Sequence, residues 1–470
     1  MKNSRTLLPK AFILTLALIC TLLLFCKSNP LDNGEKPDID PPDLPEFTLP
    51  ACVESNDGLD RSAPNLGIES AIAIKFNEGG AAEISYNTIE ESVNVEINGG
   101  HVVVRGKAAV ADGIMNVVLS GSVSNGSFKA YAGSSKIGIR LFLNGVKITN
   151  PKGPAVSFPV SKNIDSVLVN MAGCENSLTD AAFDYDAPLP DESNKGTFFS
   201  EAAVVFTGSG GLEVRSKSRR TAAGDAERGR HAIVVDNHFK MTNGNVIIHE
   251  STNDGIHANR EITITGGTLQ ISSEGDAIQN ERSNSLITIG GGAELTLRTS
   301  GVKSHGIACD SSDVAIGTGA KINITVIGNG AKGIRSRNNV QISGGDIVID
   351  TYGNVDVTQG ESEDDDGTSS ASGVRAHQNF IMSNGYLTVK SRGENSKGIN
   401  ATQSATVTGG VINIKSVGDG IKTDGNLNIF SGKITTESVE KKGIDCKGVC
   451  TGCDNAGVVS NNKTGSWNFR

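Results

Sequence analysis

The chain repeats itself between about His231 and Cys446, and that repetition restricts it to a small set of folds. Units begin at Asp254-Gly-Ile-His-Ala, Lys332-Gly-Ile-Arg-Ser, Lys397-Gly-Ile-Asn-Ala and Asp419-Gly-Ile-Lys-Thr. Each continues through alternating apolar residues, a Gly-Gly or Ser-Gly turn and a second alternating run. The anchors Ile233, Ile256, Ile278, Ile307, Ile334, Val374, Ile399, Ile421 and Ile444 are spaced by 23, 22, 29, 27, 40, 25, 22 and 23 residues. A period near 22, lengthened where a loop is inserted, marks a solenoid.

Alternation of apolar and polar residues means strands that bury one face. The paired glycines between them read as turns. Three short strands in a unit of this length make one coil of a parallel β-helix, whereas a helical repeat needs about 33 residues or more. The sequence therefore predicts an all-β, right-handed parallel β-helix over residues 93–446, with Ile256, Ile334, Ile399 and Ile421 stacked inside. A β-sandwich is the alternative, but it gives no reason for one tetrad to recur at fixed phase.

Composition agrees: 57 glycines and only 4% aromatic residues suit a turn-rich solenoid built on Val and Ile. A net charge of −9 argues against nucleic acid as a partner. Residues 1–26 read as a signal segment, with Lys2, Arg5 and Lys10 before an apolar run that ends at Cys26. That ending resembles a bacterial lipoprotein signal, although Phe25 departs from the small residue such signals prefer. The expectation is lipidation at Cys26, with the protein exported and anchored to a bacterial outer membrane or cell surface; simple secretion is the alternative. Residues 27–50 form a Pro-rich acidic linker, 51–92 an N-terminal β cap and 447–470 a Cys-containing tail. Cys446, Cys450 and Cys453 suit either disulfides stapling the last coil or part of a zinc site. Three excursions, Glu175–Phe199, Ser218–Arg230 and Gly353–Ser372, read as outside loops; the last holds the acidic run Glu361–Asp366.

The order Leu143-Asn-Gly-Val-Lys-Ile-Thr-Asn150, Gly153-Pro-Ala-Val156, Asn176-Ser-Leu-Thr-Asp180 and then the Gly-Ile coils resembles a family of bacterial carbohydrate-binding-domain proteins. The resemblance covers about residues 93–446. It implies a pectate-lyase-like β-helix that binds plant cell-wall polysaccharide, including acidic pectic chains and cellulose, without catalysis and with calcium. An adhesin or assembly protein without a specific glycan is the first alternative, and a pectate lyase the second. The protein is expected to be a monomer that meets a membrane only through its lipid.

Coils stack at the strand spacing of about 4.8 Å, so residues of equal phase form columns. If the anchor Ile points inward, the residue after it points outward; the glycine before it reads as a turn that exposes its own predecessor. On that reasoning His257, Gln279, Lys332, Arg335, Arg375, Lys397 and Lys422 are candidate carbohydrate-binding residues. The cations among them suit uronic acid carboxylates, which guanidinium groups bind bidentately; the competing reading is a solubilising stripe. Asp254 and Asp276 sit in adjacent coils and, with Glu281 and Asp310, are candidate calcium ligands, because two close carboxylates repel unless a cation or proton intervenes. The competing reading is that these aspartates cap turn amides. With one Trp, Trp467, and five Tyr, a row of rings stacking on crystalline cellulose is not expected.

Overall fold

The computed structural model describes residues 47–49, 71–87, 90–107, 113–160, 162–173, 175–180, 185–190, 192–219, 229–357, 368–454 and 457–462. The signal segment with Cys26, the linker through residue 46, the acidic run at 361–366 and Trp467 lie outside the described residues.

Each coil contributes three strands. One coil supplies Ile256–Ala258, Ile262–Ile264 and Thr268–Ser273. These pair in parallel with Ile278–Asn280, Ile287–Ile289 and Glu294–Thr299 of the next coil. The first strands of successive coils build a 14-stranded sheet. The second and third strands belong to one 26-stranded sheet. Those two faces merge because Ile114–Val123 and Ile137–Asn150 run unbroken from one face to the other, with a register shift between Leu119 and Gly121. The chain is thus a parallel β-helix, as the repeat predicts.

The predicted anchors form one column. Ile233, Ile256, Ile278, Ile307, Ile334, Val374, Ile399, Ile421 and Ile444 are partners in register from coil to coil. All but Ile444 are buried. In the earlier coils, where strands are longer, the core also holds a ladder of rings through Phe128, Phe158, Phe198, Phe206 and Phe239, with successive centroids 6.2, 6.1, 5.3 and 5.5 Å apart. These tilted and edge arrangements are the favoured ones for aromatic pairs.

The glycine of the Gly-Ile step is not a turn residue. Gly333, Gly373 and Gly398 lie inside strands and have no positive φ. What excludes a larger residue is space. A Cβ on Gly333 would stand 2.3 Å from Ile349 Cγ2 on the third face and 2.6 Å from the Gly373 carbonyl oxygen of the next coil. Gly255, Gly306, Gly373, Gly398 and Gly420 meet the same pair of obstacles. Ala232 and Ala277 hold this place in two other coils. The glycines that do need a left-handed backbone are those of the Gly-Gly turns, such as Gly345 and Gly410, both at φ 88°.

The N-terminal end is closed by antiparallel pairing. Ala71–Phe76 joins the parallel stack beside Ile114–Val123, while Glu83–Asn87 pairs with it in the opposite sense. Val93–Asn98 likewise pairs antiparallel with Gly100–Gly106. The excursion expected from Glu175 to Phe199 proves shorter. Asn176–Asp180 is a third-face strand and Gly196–Ser200 a first-face strand, because Leu178 and Phe198 pack into the core, while Phe199 lies on the outer side under Lys195.

Gly333→Ala is expected to lower stability by about 1–3 kcal/mol through overpacking, whereas Ala277→Gly, which only loosens a strand, costs about 1 kcal/mol or less. Urea unfolding of the two variants beside wild type checks this; equal midpoints would mean that the glycine is not where the coils touch.

Candidate functional site

In four coils the residue two places before the anchor Ile links its coil to the next. Asp254 Oδ1 accepts the amide N–H of Asp276 at 2.8 Å, and Asp276 Oδ1 accepts that of His305. His305 Nδ1 accepts from the Lys332 amide at 3.0 Å, and Asp419 Oδ1 from the Lys442 amide at 3.2 Å. These carboxylates therefore cap backbone amides, in the role that short polar side chains often take at turns.

The second oxygen of Asp254 faces two imidazoles. His231 Nδ1 lies 3.0 Å from it and His257 Nδ1 3.1 Å. From His257 a hydrogen-bonded chain crosses three coils: its Nδ1 also meets Gln279 Oε1 at 3.0 Å, Gln279 Nε2 donates to Asp310 Oδ2 at 2.9 Å, and Arg335 Nη1 pairs with Asp310 Oδ1. Of the predicted calcium ligands, Asp254 is shared between histidines, Asp276 holds the His305 amide, and Asp310 is committed to Arg335 and Gln279. Glu281 stands 3.7 Å from His257 Nε2. They do not surround a common centre with the six to eight oxygens that calcium takes.

Burial alone would raise the pKa of Asp254, but His231 and then His257 outweigh it and hold the carboxyl well below the usual range. Burial opposes the charged form of His257, yet Asp254, with help from Glu281, pushes it up to about 9. Burial, reinforced by the charge of Asp254, raises Asp276 well above an ordinary carboxyl. The two neighbouring aspartates are thus kept apart by a proton on one and imidazolium beside the other.

The predicted cations divide into two groups. They were expected to be exposed, but Lys332, Arg335, Arg375 and Lys397 are only 1%, 5%, 5% and 4% exposed. The cause is the insertion after Ile349. Its two stems meet at the Asp356–Ser369 bridge and fold against the column. Lys332 Nζ donates to the Gly330 carbonyl at 2.7 Å and to Ser369 Oγ at 2.5 Å; Lys397 Nζ donates to Ser370 Oγ at 2.9 Å. His257, Gln279 and Arg335 belong to the internal chain described above.

Arg375 and Lys397, although largely buried, join Lys422 in lining a groove of about 570 Å³ over the last coils. Lys441 and Lys447 join them, and the walls also present Asn354, Asn395 and Asn400. Two carboxylates, Glu394 and Asp424, face five cations; Asp424 is 2.7 Å from Lys447 Nζ. Among the described residues, Lys422 and Lys441 make no ion pair. Lys441 and Lys447 fall outside the two phases read from the sequence, and His231 belongs to one of those columns without having been chosen as a site residue. Cys450 and Cys453 are joined in a disulfide beyond the groove, and Cys446 is free.

The family model described as carbohydrate-binding domain-containing protein matches residues 109–410 and 350–445. The chain belongs to this family. As a carbohydrate-binding domain-containing protein, it carries the match across nearly all of its coils, the groove included. No curated protein matches it. A solved structure of a polysaccharide lyase-like protein from C. thermocellum is similar at 16% identity and a TM-score of 0.35, covering 77% of this chain and 97% of that one.

His257 and Asp276 predict the pH dependence of stability. An unfolded His titrates near 6.5 and the folded one near 9, so its stabilising charge is complete below the first value and lost as pH rises through the second. Asp276 acts in the same direction, since the folded protein keeps a proton that the unfolded chain releases near 3.8. In the presence of chelator, the melting temperature should fall between about pH 6.5 and 9, and His257→Gln should flatten that slope. A wild-type melting temperature constant over this window would contradict the assignment.

Proposed function

We propose that this carbohydrate-binding protein takes an acidic, uronate-bearing polysaccharide along the groove over its last coils, as a binder and not as a catalyst. The observation that carries the reading is charge: among the described residues that line the groove there are five cations and two carboxylates, in a protein whose net charge is −9. The neutral wall supports it too, because Asn354, Asn395 and Asn400 offer both donors and acceptors to sugar hydroxyls. Among the described residues no aromatic ring lines the groove, so they offer no platform for stacking on a flat neutral glucan.

Arg375, Asn400 and Lys422 are partners in register on three successive coils, spaced at about 4.8 Å. Contacts could thus repeat along an extended chain, each contributing about 1 kcal/mol or less at exposed positions. Binding in the groove does not call on the Asp254–Asp276 pair, so calcium is not part of this reading. Export and lipid anchoring at Cys26, and a monomeric state, belong to the same proposal and rest on the sequence.

Lys422→Glu combined with Lys441→Glu is expected to weaken binding to polygalacturonate by about tenfold or more, because each reversal removes an attraction and adds a repulsion. Affinity electrophoresis in gels containing polygalacturonate or a neutral glucan measures this. Wild-type retardation should decline as salt rises from about 0.05 to 0.5 M and should be unchanged by chelator. Retention of wild-type affinity by the double variant, with its circular dichroism intact, would place the ligand elsewhere; equal retardation by the neutral glucan would remove the acidic-ligand reading.

A further inference from the structure

We propose that His231, Asp254 and His257 form a binding site for a divalent transition-metal cation of the zinc type, separate from the carbohydrate groove. The three side chains come from adjacent coils, with Val234 and His257 in register, and their ligand atoms all lie within 4.8 Å of one another. Asp254 Oδ2 is 3.0 Å from His231 Nδ1 and 3.1 Å from His257 Nδ1. Ligands about 2.0–2.1 Å from a tetrahedral zinc ion stand roughly 3.3 Å apart, so these separations are close to what the ion needs.

Two further observations point to a ligand rather than to a closed polar network. His231 Nδ1 is buried and has Asp254 Oδ2 as an ion-pair neighbour at 3.0 Å, but no well-formed hydrogen bond. A buried ring nitrogen without a hydrogen bond is costly in a folded protein, and a metal ion would engage it. The outer nitrogens of both rings also have polar neighbours. His231 Nε2 lies 3.3 Å from the Asn253 side-chain amide, and His257 Nε2 3.7 Å from Glu281 Oε1. Metal-bound histidines are usually oriented in this way through their second nitrogen. The other oxygen of Asp254 is fixed by the Asp276 amide, which leaves Oδ2 to face the site.

The donor set selects the metal. Two imidazoles and one carboxylate suit zinc, copper, nickel or iron, while calcium and magnesium take oxygen ligands. Three protein ligands leave a fourth position for water. The site is five coils from the Lys397–Asn400 segment of the groove, roughly 24 Å at the strand spacing, so its occupancy is not a condition for polysaccharide binding there.

Calorimetric titration of the chelator-treated full chain with ZnCl₂ should show one ion per chain. His231→Ala and His257→Ala should each weaken binding by at least the roughly tenfold that even outer ligand partners contribute. His249→Ala, a histidine outside the cluster, should bind as wild type does. Cobalt in place of zinc should give the intense visible bands of a low-coordinate nitrogen–oxygen site, absent in His257→Ala, and excess calcium should not displace it. For variants that fail to fold, zinc-soaked wild-type crystals give an independent answer through an anomalous peak among the three side chains. Absence of saturable zinc binding, unchanged affinity in folded His231→Ala and His257→Ala proteins, displacement by calcium, or an anomalous peak located elsewhere would each overturn the proposal.

Discussion

Everything in this solenoid depends on how closely one coil can lie on the next. The tightest point is the glycine that precedes most of the anchors, where a Cβ would run into both a third-face side chain and the carbonyl of the following coil. Because that place is empty, the first-face strand can sink toward the third face, and the anchor Ile beside it reaches the middle of the triangle. The same closeness puts backbone donors and acceptors of successive coils in register over the length of the sheet. Interior packing of this density tolerates little change in volume, and so the two coils with Ala at this place, Ala232 and Ala277, mark its upper limit.

A stack of nearly identical coils also aligns its polar residues, and aligned charges repel. The first face resolves this differently along its length. From His231 to Arg335 the charges alternate in kind, and Asp254, Asp310, His257 and Arg335 neutralise one another through contacts that cross coils. Beyond Arg335 the column turns basic. Arg335 and Arg375 are register partners, and Arg375 is followed by Asn400 and then Lys422. The groove lies along this basic part of the column.

Much of the fold is legible in the sequence, because every anchor from Ile233 to Ile444 obeys one phase, and a phase error of a single residue would turn the whole strand inside out. The role of the glycine is not legible. Gly-Ile looks like a turn followed by a strand, and only the approach of Ile349 to Gly333 distinguishes crowding from conformation. The columns of site residues follow from the same phase, but their burial does not. The spacing of 40 residues between Ile334 and Val374 announces an insertion without saying which way it folds. It folds back, so that Ser369 and Ser370 cover Lys332 and Lys397. Lys441 and Lys447 escape a reading by phase because they lie in the bends on either side of the last Gly-Ile step.

A basic groove on an acidic protein has consequences for how it meets a polyanion. At distances beyond the Debye length, about 8 Å at physiological ionic strength, surface charges are largely screened, so the overall −9 neither attracts nor strongly repels. In the proposed binding mode, recognition begins within the groove, where concave walls focus the field of the cations. Selectivity follows from that geometry. A chain must be extended enough to lie along several coils and must carry carboxylates at intervals that match cations fixed by the strand spacing. Lys422 and Lys441, which make no ion pair among the described residues, are placed to turn toward such carboxylates. Arg375 and Lys397 are held by burial and set the floor against which the chain would lie. Rigid cations below and adaptable ones at the rim suit one acidic polymer class, while tolerating variation in the neutral sugars between its charges.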